Sequence, residues 1–247
     1  METAVWIVVA AAFVTAVMTG VGALPLALAR QPGPRVMGWA TAAAAGLMLA
    51  ASHGLIAEGA ALAPGLTLLG VLLGLGAIVG ARRLVDGAGE VHVADLSGAN
   101  ATAALLVLGI MTAHSFAEGV AVGVSFAGSD GLGAFITTAI ALHNVPEGLA
   151  IALVLVPRGT PVWKAALWAI FTSLPQPIMA GPAYVMVELF RPVLPVGLGL
   201  AAGAMIWMVF SELFPDALDN VDSGSAGLVV TLAFSAMMAF QMLVLTH

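Results

Sequence analysis

Two short stretches of this chain place an imidazole and a carboxylate at the same spacing in apolar surroundings. His114 and Glu118 are four residues apart, and so are His143 and Glu147. Residues four apart lie on one face of an α-helix, so each pair would project from one side of its helix. Imidazole nitrogens and carboxylate oxygens together suit a divalent first-row metal. The four residues therefore predict a metal cage between two neighbouring helices.

The apolar surroundings make these ionisable residues expensive to keep. On insertion scales, such a side chain at the centre of a membrane helix costs about 2.5–3.5 kcal/mol. Gly119 and Gly148, directly after each glutamate, are expected to let the two helices approach closely. Pro146 is expected to kink its helix beside the site, because proline removes a main-chain hydrogen bond. Two other interpretations of the four residues stay open: paired packing groups, and a proton relay without metal.

Four further polar residues stand in or near the apolar stretches. Gln176 is flanked by Pro175 and Pro177, which predicts a broken helix from which the amide could reach the site. The equal alternative is a bent helix in which Gln176 bonds freed main-chain groups. The other three residues either line an entrance and exit for a cation or are interfacial residues that touch water: His53, Glu58 and Glu212.

The composition identifies the environment of these residues. The chain has 247 residues, of which 61% are hydrophobic and 8% are charged, and its mean hydropathy is +1.09. Soluble chains carry about 25% charged residues, so this composition indicates an integral membrane protein. The absence of cysteine excludes disulfides and thiolate metal ligands. No basic patch points to nucleic acid.

Cutting the chain at charges, prolines and glycine clusters leaves eight apolar segments, numbered here as spans 1 to 8. They cover about Ala4–Ala29, Val36–Glu58, Pro64–Ala81, Ala101–Ala127, Leu132–Val156, Lys164–Phe190, Val193–Phe214 and Ala226–Leu245. Helices are expected because a lipid-exposed backbone must satisfy its own hydrogen bonds. We therefore predict an all-α polytopic membrane protein with eight transmembrane helices in one domain, residues 1–247.

The basic residues predict the orientation of the spans. Six fall on one side of the predicted membrane and only Arg191 on the other; the six are Arg30, Arg35, Arg82, Arg83, Arg158 and Lys164. By the positive-inside rule both termini then face outside. The Ala- and Gly-rich composition and the lack of a targeting extension fit a bacterial inner membrane.

Internal similarity predicts inverted repeats. Ala45-Gly46-Leu47-Met48 in span 2 resembles Ala202-Gly203-Ala204-Met205 in span 7, and the His–Glu motifs of spans 4 and 5 also resemble each other. The members of each pair run in opposite directions in the predicted orientation. We expect a 3+2+3 arrangement with the metal site near the midplane, as in transporters built from inverted repeats.

These motifs resemble the ZIP family of zinc and iron transporters, in its branch of small bacterial members. The resemblance covers nearly the whole chain and includes eight spans and a long loop after span 3. Its most specific motifs are His-x-x-x-Glu-Gly in span 4 and His-x-x-Pro-Glu-Gly in span 5. The Ala-Gly-x-Met of span 2, the Pro-x-Pro of span 6 and the Ser-Glu-Leu-Phe-Pro ending of span 7 also fit.

The resemblance implies a set of metal-binding residues. Met48 would approach the site from span 2, although taken alone it is a core residue. The implied primary ligands are His114, Glu118, His143, Glu147 and Met48. Family members often bind a second, adjacent metal, whose further ligands would correspond to the secondary positions Ser115, Asn144 and Gln176. Relatives tend to have Asn, Asp and Glu there, and a second cation needs anionic ligands, so we expect one high-occupancy site here.

The expected function is inward transport of divalent cations without ATP. Zinc is the first expectation, with Fe²⁺, Mn²⁺, Cd²⁺ and Co²⁺ open, and the ion is substrate rather than cofactor. The resemblance implies an elevator-like motion of spans 1, 4, 5 and 6 against spans 2, 3, 7 and 8. A membrane-embedded metal-dependent hydrolase or oxidase is an alternative, but His-Glu-x-x-His is absent. A metal cation channel is another. The expected partners are the ion and the lipid bilayer, and a homodimer stays open.

Overall fold

The structure is a computed structural model that describes residues 2–27, 33–86, 101–156 and 159–245. Arg30 and Arg158, which contribute to the predicted orientation, lie outside these ranges. The described part of the chain is helical with short connections and contains no strand. Its helices are α1 (Glu2–Val21), α2 (Leu24–Ala27), α3 (Pro34–Leu62), α4 (Pro64–Asp86), α5 (Ala101–Gly128), α6 (Asp130–Leu155), α7 (Val162–Ser173), α8 (Pro175–Leu189), α9 (Leu194–Met208), α10 (Phe214–Leu218) and α11 (Ser223–Leu245).

The helices confirm the predicted all-α polytopic architecture. In the described residues, six helical segments are long and apolar enough to cross a membrane. They are Ala4–Ala27, Pro34–Leu62, Pro64–Arg83, Asp130–Leu155, Arg191–Leu218 and Ser223–Val244. The two remaining predicted spans are span 4, which is α5, and span 6, which divides into α7 and α8.

Spans 1 and 6 are interrupted where glycine or proline weakens the helix. In span 1, α1 ends at Val21 and a turn at Gly22 precedes α2. Pro25 has no N–H to donate to Val21, so the helical hydrogen-bond series stops there. In span 6, for which the sequence leaves a broken and a bent helix equally open, α7 ends at Ser173 and α8 begins at Pro175.

Span 7 contains a distortion that the sequence analysis did not predict. A π turn covers Val209–Leu213, and the N–H of Phe214 donates to the carbonyl of Val209, five residues earlier. Pro215 explains it, because a proline ring clashes with the carbonyl four residues before it and widens the helix. Glu212 lies in this π turn.

The start of α11 is capped by an acidic residue outside the spans. Asp222 accepts hydrogen bonds from the Ser225 main-chain N–H at 3.0 Å and from the Ser225 hydroxyl at 2.6 Å. These are the contacts of an N-cap residue. The bonds from Ser225 lower the pKa of the Asp222 carboxyl.

Glycines pack helices backbone to backbone within two groups. Gly70 and Gly74 of α4 face main-chain atoms of α9, and Gly199 and Gly203 of α9 face main-chain atoms of α4. Glycines four apart permit such close helix approach. Gly46 likewise faces the α11 backbone. We name α3, α4, α9, α10 and α11, together with the π turn between α9 and α10, the flanking bundle.

The other helices form a second group with the same kind of contact. Gly119 and Gly123 of α5 face the α8 backbone, and Gly148 of α6 faces the α1 backbone. We name α1, α2, α5, α6, α7 and α8 the site bundle. Between the two bundles, Gly54 and Gly197 meet side chains instead of backbone.

The helix contacts follow the predicted inverted repeat. In the predicted repeat, spans 1, 2 and 3 correspond to spans 6, 7 and 8, and span 4 corresponds to span 5. The contact of α1 with α6, in spans 1 and 5, then corresponds to the contact of α8 with α5, in spans 6 and 4. Likewise, the contact of α4 with α9, in spans 3 and 7, corresponds to the contact of α11 with α3, in spans 8 and 2. All four helix pairs pack extensively. The packing therefore has the symmetry expected for a 3+2+3 repeat.

Candidate metal site

Three of the predicted ligands come together between α5 and α6. Glu118, His143 and Glu147 each offer a ligand atom, and these three atoms lie within 4.8 Å of one another. His143 Nε2 is 3.5 Å from Glu118 Oε1 and 4.0 Å from Glu147 Oε2. The exposed fractions are 0% for Glu118, 4% for His143 and 9% for Glu147. The cluster is thus a buried set of one nitrogen and two carboxylate groups.

Several nitrogen and oxygen atoms of this cluster have no hydrogen-bond partner. They are Glu118 Oε1, His143 Nδ1 and both carboxylate oxygens of Glu147. Buried polar atoms in native proteins are nearly always paired, so unpaired ones need an explanation. A bound cation explains the three unpaired carboxylate oxygens, because carboxylate oxygens are its ordinary ligands. The donor set fits a divalent metal.

The turn between α5 and α6 places the two motifs side by side. Ser129 separates the helices, and its hydroxyl oxygen accepts a hydrogen bond from the Leu132 N–H at 3.1 Å, which caps α6. The short connection makes α5 and α6 antiparallel neighbours. Glu118 and the His143–Glu147 pair then meet at mid-length.

The prediction about the two motif glycines was wrong, because each glycine contacts a different helix from the one expected. Gly119 and Gly148 were expected to bring α5 and α6 together. Instead, Gly119 faces Gln176 of α8, and Gly148 faces Thr19 of α1. Glycine at these positions brings a third and a fourth helix against the motif helices, which places α1 and α8 beside the site.

His114, the fourth predicted ligand, has a different partner. Its Nε2 lies 2.9 Å from Glu212 Oε2, and Glu212 also pairs with Arg82. The Arg82 guanidinium lies 5.9 Å from the centre of the Trp207 ring, within cation–π range. His114 belongs to the site bundle, whereas Glu212 and Arg82 belong to the flanking bundle. This contact therefore crosses the boundary between the bundles.

The secondary positions form a buried hydrogen-bonded network beside Glu118. Gln176 Nε2 donates to Glu118 Oε2 at 2.6 Å, and Asn144 Nδ2 donates to Gln176 Oε1 at 3.2 Å. Ser115 is fully buried, and its hydroxyl has no hydrogen-bond partner. The Gln176 amide thus reaches the site, while Asn144 is one hydrogen bond farther away.

The three remaining candidates lie on α3. Met48 is buried in the main hydrophobic core. The exposed His53 ring packs edge-on against Phe234 of α11, with ring centroids 6.3 Å apart. Glu58 is half-buried near the end of the helix. These placements leave the ligand role of Met48 and the pathway roles of His53 and Glu58 as predictions.

Two residues with direct contacts to this region escaped the sequence analysis. Thr15 bonds Gln176, and Arg82 bonds Glu212. Thr15 and Thr19 are four residues apart in an otherwise apolar part of α1, so a polar stripe on that helix was the available signal. Arg82 contributes to the predicted orientation of the spans, but an arginine at a span end is also a candidate partner for Glu212.

The sequence of this chain is similar to those of zinc transporters. A family model described as "ZIP Zinc transporter" matches residues 85–245. A protein of Arabidopsis thaliana named "Putative zinc transporter" is 44% identical over 231 residues, 92% of this chain and 37% of that protein. Zinc transporter GufA of Myxococcus xanthus is 33% identical over 121 residues, 49% of this chain and 48% of that protein.

Zinc transporter ZIPB of Bordetella bronchiseptica is 35% identical over 135 residues, 54% of this chain and 43% of that protein. The chain thus spans less than half the length of each of these relatives. The matched family region includes α5 and α6, with all four His and Glu residues of the two motifs. Because this region covers more than half of the sequence, the chain belongs to the ZIP zinc transporter family.

Proposed function

We propose that this chain carries divalent metal cations, zinc first, across a membrane through Glu118, His143 and Glu147. The observation that carries the proposal is the buried cluster of these three side chains, in which three of the four carboxylate oxygens lack a hydrogen-bond partner. The multi-pass helical architecture provides the membrane path. Membership of a transporter family argues against the membrane-embedded hydrolase or oxidase.

The donor set supports zinc without restricting the site to it. One imidazole and two carboxylates suit Zn²⁺ and also Fe²⁺, Mn²⁺, Co²⁺ and Cd²⁺. Met48 and His114 complete the proposed primary ligands. To bind the cation, His114 Nε2 must leave Glu212 Oε2, now 2.9 Å away. His114 therefore connects the site to Glu212, which we propose as the inner pathway residue, with His53 and Glu58 on the outer side.

One cation per chain is the proposed occupancy. A second cation near the first would need additional anionic ligands to offset the repulsion between them. The nearby positions are instead the amides Asn144 and Gln176 and the hydroxyl of Ser115. In addition, the Gln176 amide N–H already occupies one oxygen of Glu118.

We propose an elevator-like motion as the transport step. The site bundle holds the three clustered ligands, and its glycine contacts to backbone are internal. The flanking bundle has its own backbone contacts and supplies Glu212. Sliding of one bundle along the other would carry the ion between the two sides. Inward transport across a bacterial inner membrane, with both termini outside, belongs to the same proposal.

Zinc binding and uptake test the proposal together. Calorimetry on the purified protein should detect one zinc ion per chain, and none in His143→Ala/Glu147→Ala. Glu188→Gln is a control, because Glu188 pairs with Arg191 instead of the site. In proteoliposomes, Glu147→Ala should abolish zinc uptake, and uptake at wild-type rates would reject the assigned site. Flux that never saturates with zinc concentration would favour a channel over a carrier.

A further inference from the structure

We propose that Thr15, Asn144 and Gln176 form a positioning relay that holds Glu118 in its metal-binding orientation. Each residue of this relay comes from a different helix of the site bundle: α1, α6 and α8. All three are fully buried, as is Glu118. The inference rests on the proposed function, because it assigns Glu118 as a ligand. It adds Thr15 as a residue that acts on the site without touching the metal.

The orientation of the relay begins at a main-chain oxygen. Asn144 Nδ2 donates to the carbonyl oxygen of Thr15 at 2.8 Å. A carbonyl can only accept, so the Asn144 amide must present its NH₂ group to this side. The same NH₂ group donates to Gln176 at 3.2 Å, so the atom of Gln176 that faces it must be the oxygen Oε1.

The Thr15 hydroxyl reinforces this arrangement. Its single proton is shared between the Ala12 main-chain oxygen, at 2.7 Å, and Gln176 Oε1. Gln176 Oε1 therefore faces two donor groups, the Thr15 hydroxyl and the Asn144 amide. Turning the Gln176 amide over would place its NH₂ group against the Asn144 NH₂ group, so that two donors would face each other without an acceptor.

The relay ends at one carboxylate oxygen of Glu118, Oε2. With Oε1 of Gln176 held, its Nε2 points to Glu118 Oε2 and donates at 2.6 Å. The other oxygen, Oε1, has no hydrogen-bond partner and lies 3.5 Å from His143 Nε2. Glu118 therefore offers one oxygen to a cation, and the relay decides which one. Substitution of a residue that orients a metal ligand through hydrogen bonds typically lowers metal affinity by about 10–100-fold.

The test compares two threonines on the same helix. Thr15→Val replaces the hydroxyl with a methyl group of similar size, and Thr15→Ser keeps the hydroxyl. Thr19→Val is the matched control, because Thr19 is also fully buried but its hydroxyl bonds Ser173, at 2.8 Å. The probes are the zinc dissociation constant and the visible spectrum of bound Co²⁺, which reports the ligand geometry around the metal.

We expect Thr15→Val to weaken zinc binding roughly tenfold and to change the Co²⁺ spectrum. Thr15→Ser and Thr19→Val should retain the wild-type affinity and spectrum. A Thr15→Val protein with wild-type affinity and spectrum would overturn the relay. Equal losses in Thr15→Val and Thr19→Val would also overturn it, because they would indicate a general packing defect. Absence of metal binding in the wild type would reject the proposed function, and the relay with it.

Discussion

At the scale of single residues, the site brings two carboxylates together in an apolar region. Glu118 and Glu147 both lie near the His143 imidazole, and three of their four oxygens lack a hydrogen-bond partner. Like charges this close repel strongly where water is excluded. A divalent cation bound between them would neutralise both charges, which is why we propose these two carboxylates as ligands.

The amide isostere isolates the charge of one ligand. Glu147→Gln keeps the shape of the side chain but removes its negative charge. We expect zinc affinity to fall by at least about 100-fold, because a buried charged contact is typically worth 3–5 kcal/mol. Isothermal titration calorimetry measures the loss, with Glu188→Gln as control. Zinc affinity within a factor of three of the wild type would contradict the ligand role of Glu147.

The dependence of binding on pH follows from the same chemistry. Carboxylates must be ionised and imidazoles neutral to hold the metal, so protons compete with zinc for the site. We expect the zinc dissociation constant to rise as pH falls from 8 to 6, with proton release on binding. Calorimetry in buffers of different ionisation enthalpy measures that release. A constant affinity over this range, without released protons, would contradict the prediction.

At the scale of helices, glycine decides which elements pack backbone against backbone. The α4–α9 pair meets through glycines on both helices, each facing main-chain atoms of the other. Any side chain there would push the two backbones apart. The α5–α8 pair has the same contact through Gly119 and Gly123. Close backbone contact of this kind favours rigid helix pairs.

Two glycines of α4 provide a matched comparison for this packing. In Gly74→Ala the added Cβ would meet the Leu200 backbone, whereas in Gly76→Ala it would meet nothing within 4 Å. We expect Gly74→Ala to lose about 1–3 kcal/mol of stability, the usual cost of overpacking. Gly76→Ala should be neutral or slightly stabilising, because alanine favours helices. Thermal unfolding in detergent compares them, and equal melting temperatures would contradict the α4–α9 packing.

At the scale of the whole molecule, the two bundles meet through side chains. Gly197 of the flanking bundle faces the Val124 side chain of the site bundle. The His114–Glu212 contact also crosses this boundary. Side-chain contacts can be exchanged during sliding more readily than close backbone packing. The interface between the bundles is therefore where an elevator-like motion would occur.

A disulfide across this boundary tests the motion. A Cβ at Gly197 would lie 3.5 Å from Val124 Cβ, which is within disulfide range, and the chain has no other cysteine. We expect the oxidised Val124→Cys/Gly197→Cys protein to bind zinc without transporting it, and reduction to restore uptake. Undiminished uptake after complete oxidation would contradict sliding of α5 against α9.

A second disulfide, inside one bundle, controls for cross-linking itself. A Cβ at Gly59 would lie 3.4 Å from Thr67 Cβ, and both positions belong to the flanking bundle. The oxidised Gly59→Cys/Thr67→Cys protein should transport zinc at the rate of its reduced form. Loss of uptake in both disulfide variants would mean that oxidation, rather than the blocked motion, inhibits transport.

The sequence by itself predicts the helices and the candidate ligands of the site. Apolar runs of membrane-spanning length predict helices wherever lipid leaves the backbone no other partner. The i, i+4 spacing of each His–Glu motif places both side chains on one helix face, which is a local property. The Pro-x-Pro of span 6 likewise predicts a break or a bend in its own helix, because proline acts on its immediate neighbours.

Only the tertiary structure decided which distant groups meet. Thr15 and Gln176 are 161 residues apart, and Arg82 and Glu212 are 130 residues apart. No local spacing rule relates such positions, since their contact depends on how whole helices pack. The same packing gives His114 a partner in the flanking bundle and turns Gly119 and Gly148 toward α8 and α1. Local rules along the chain thus predict the candidate ligands, whereas helix packing determines which distant groups contact them.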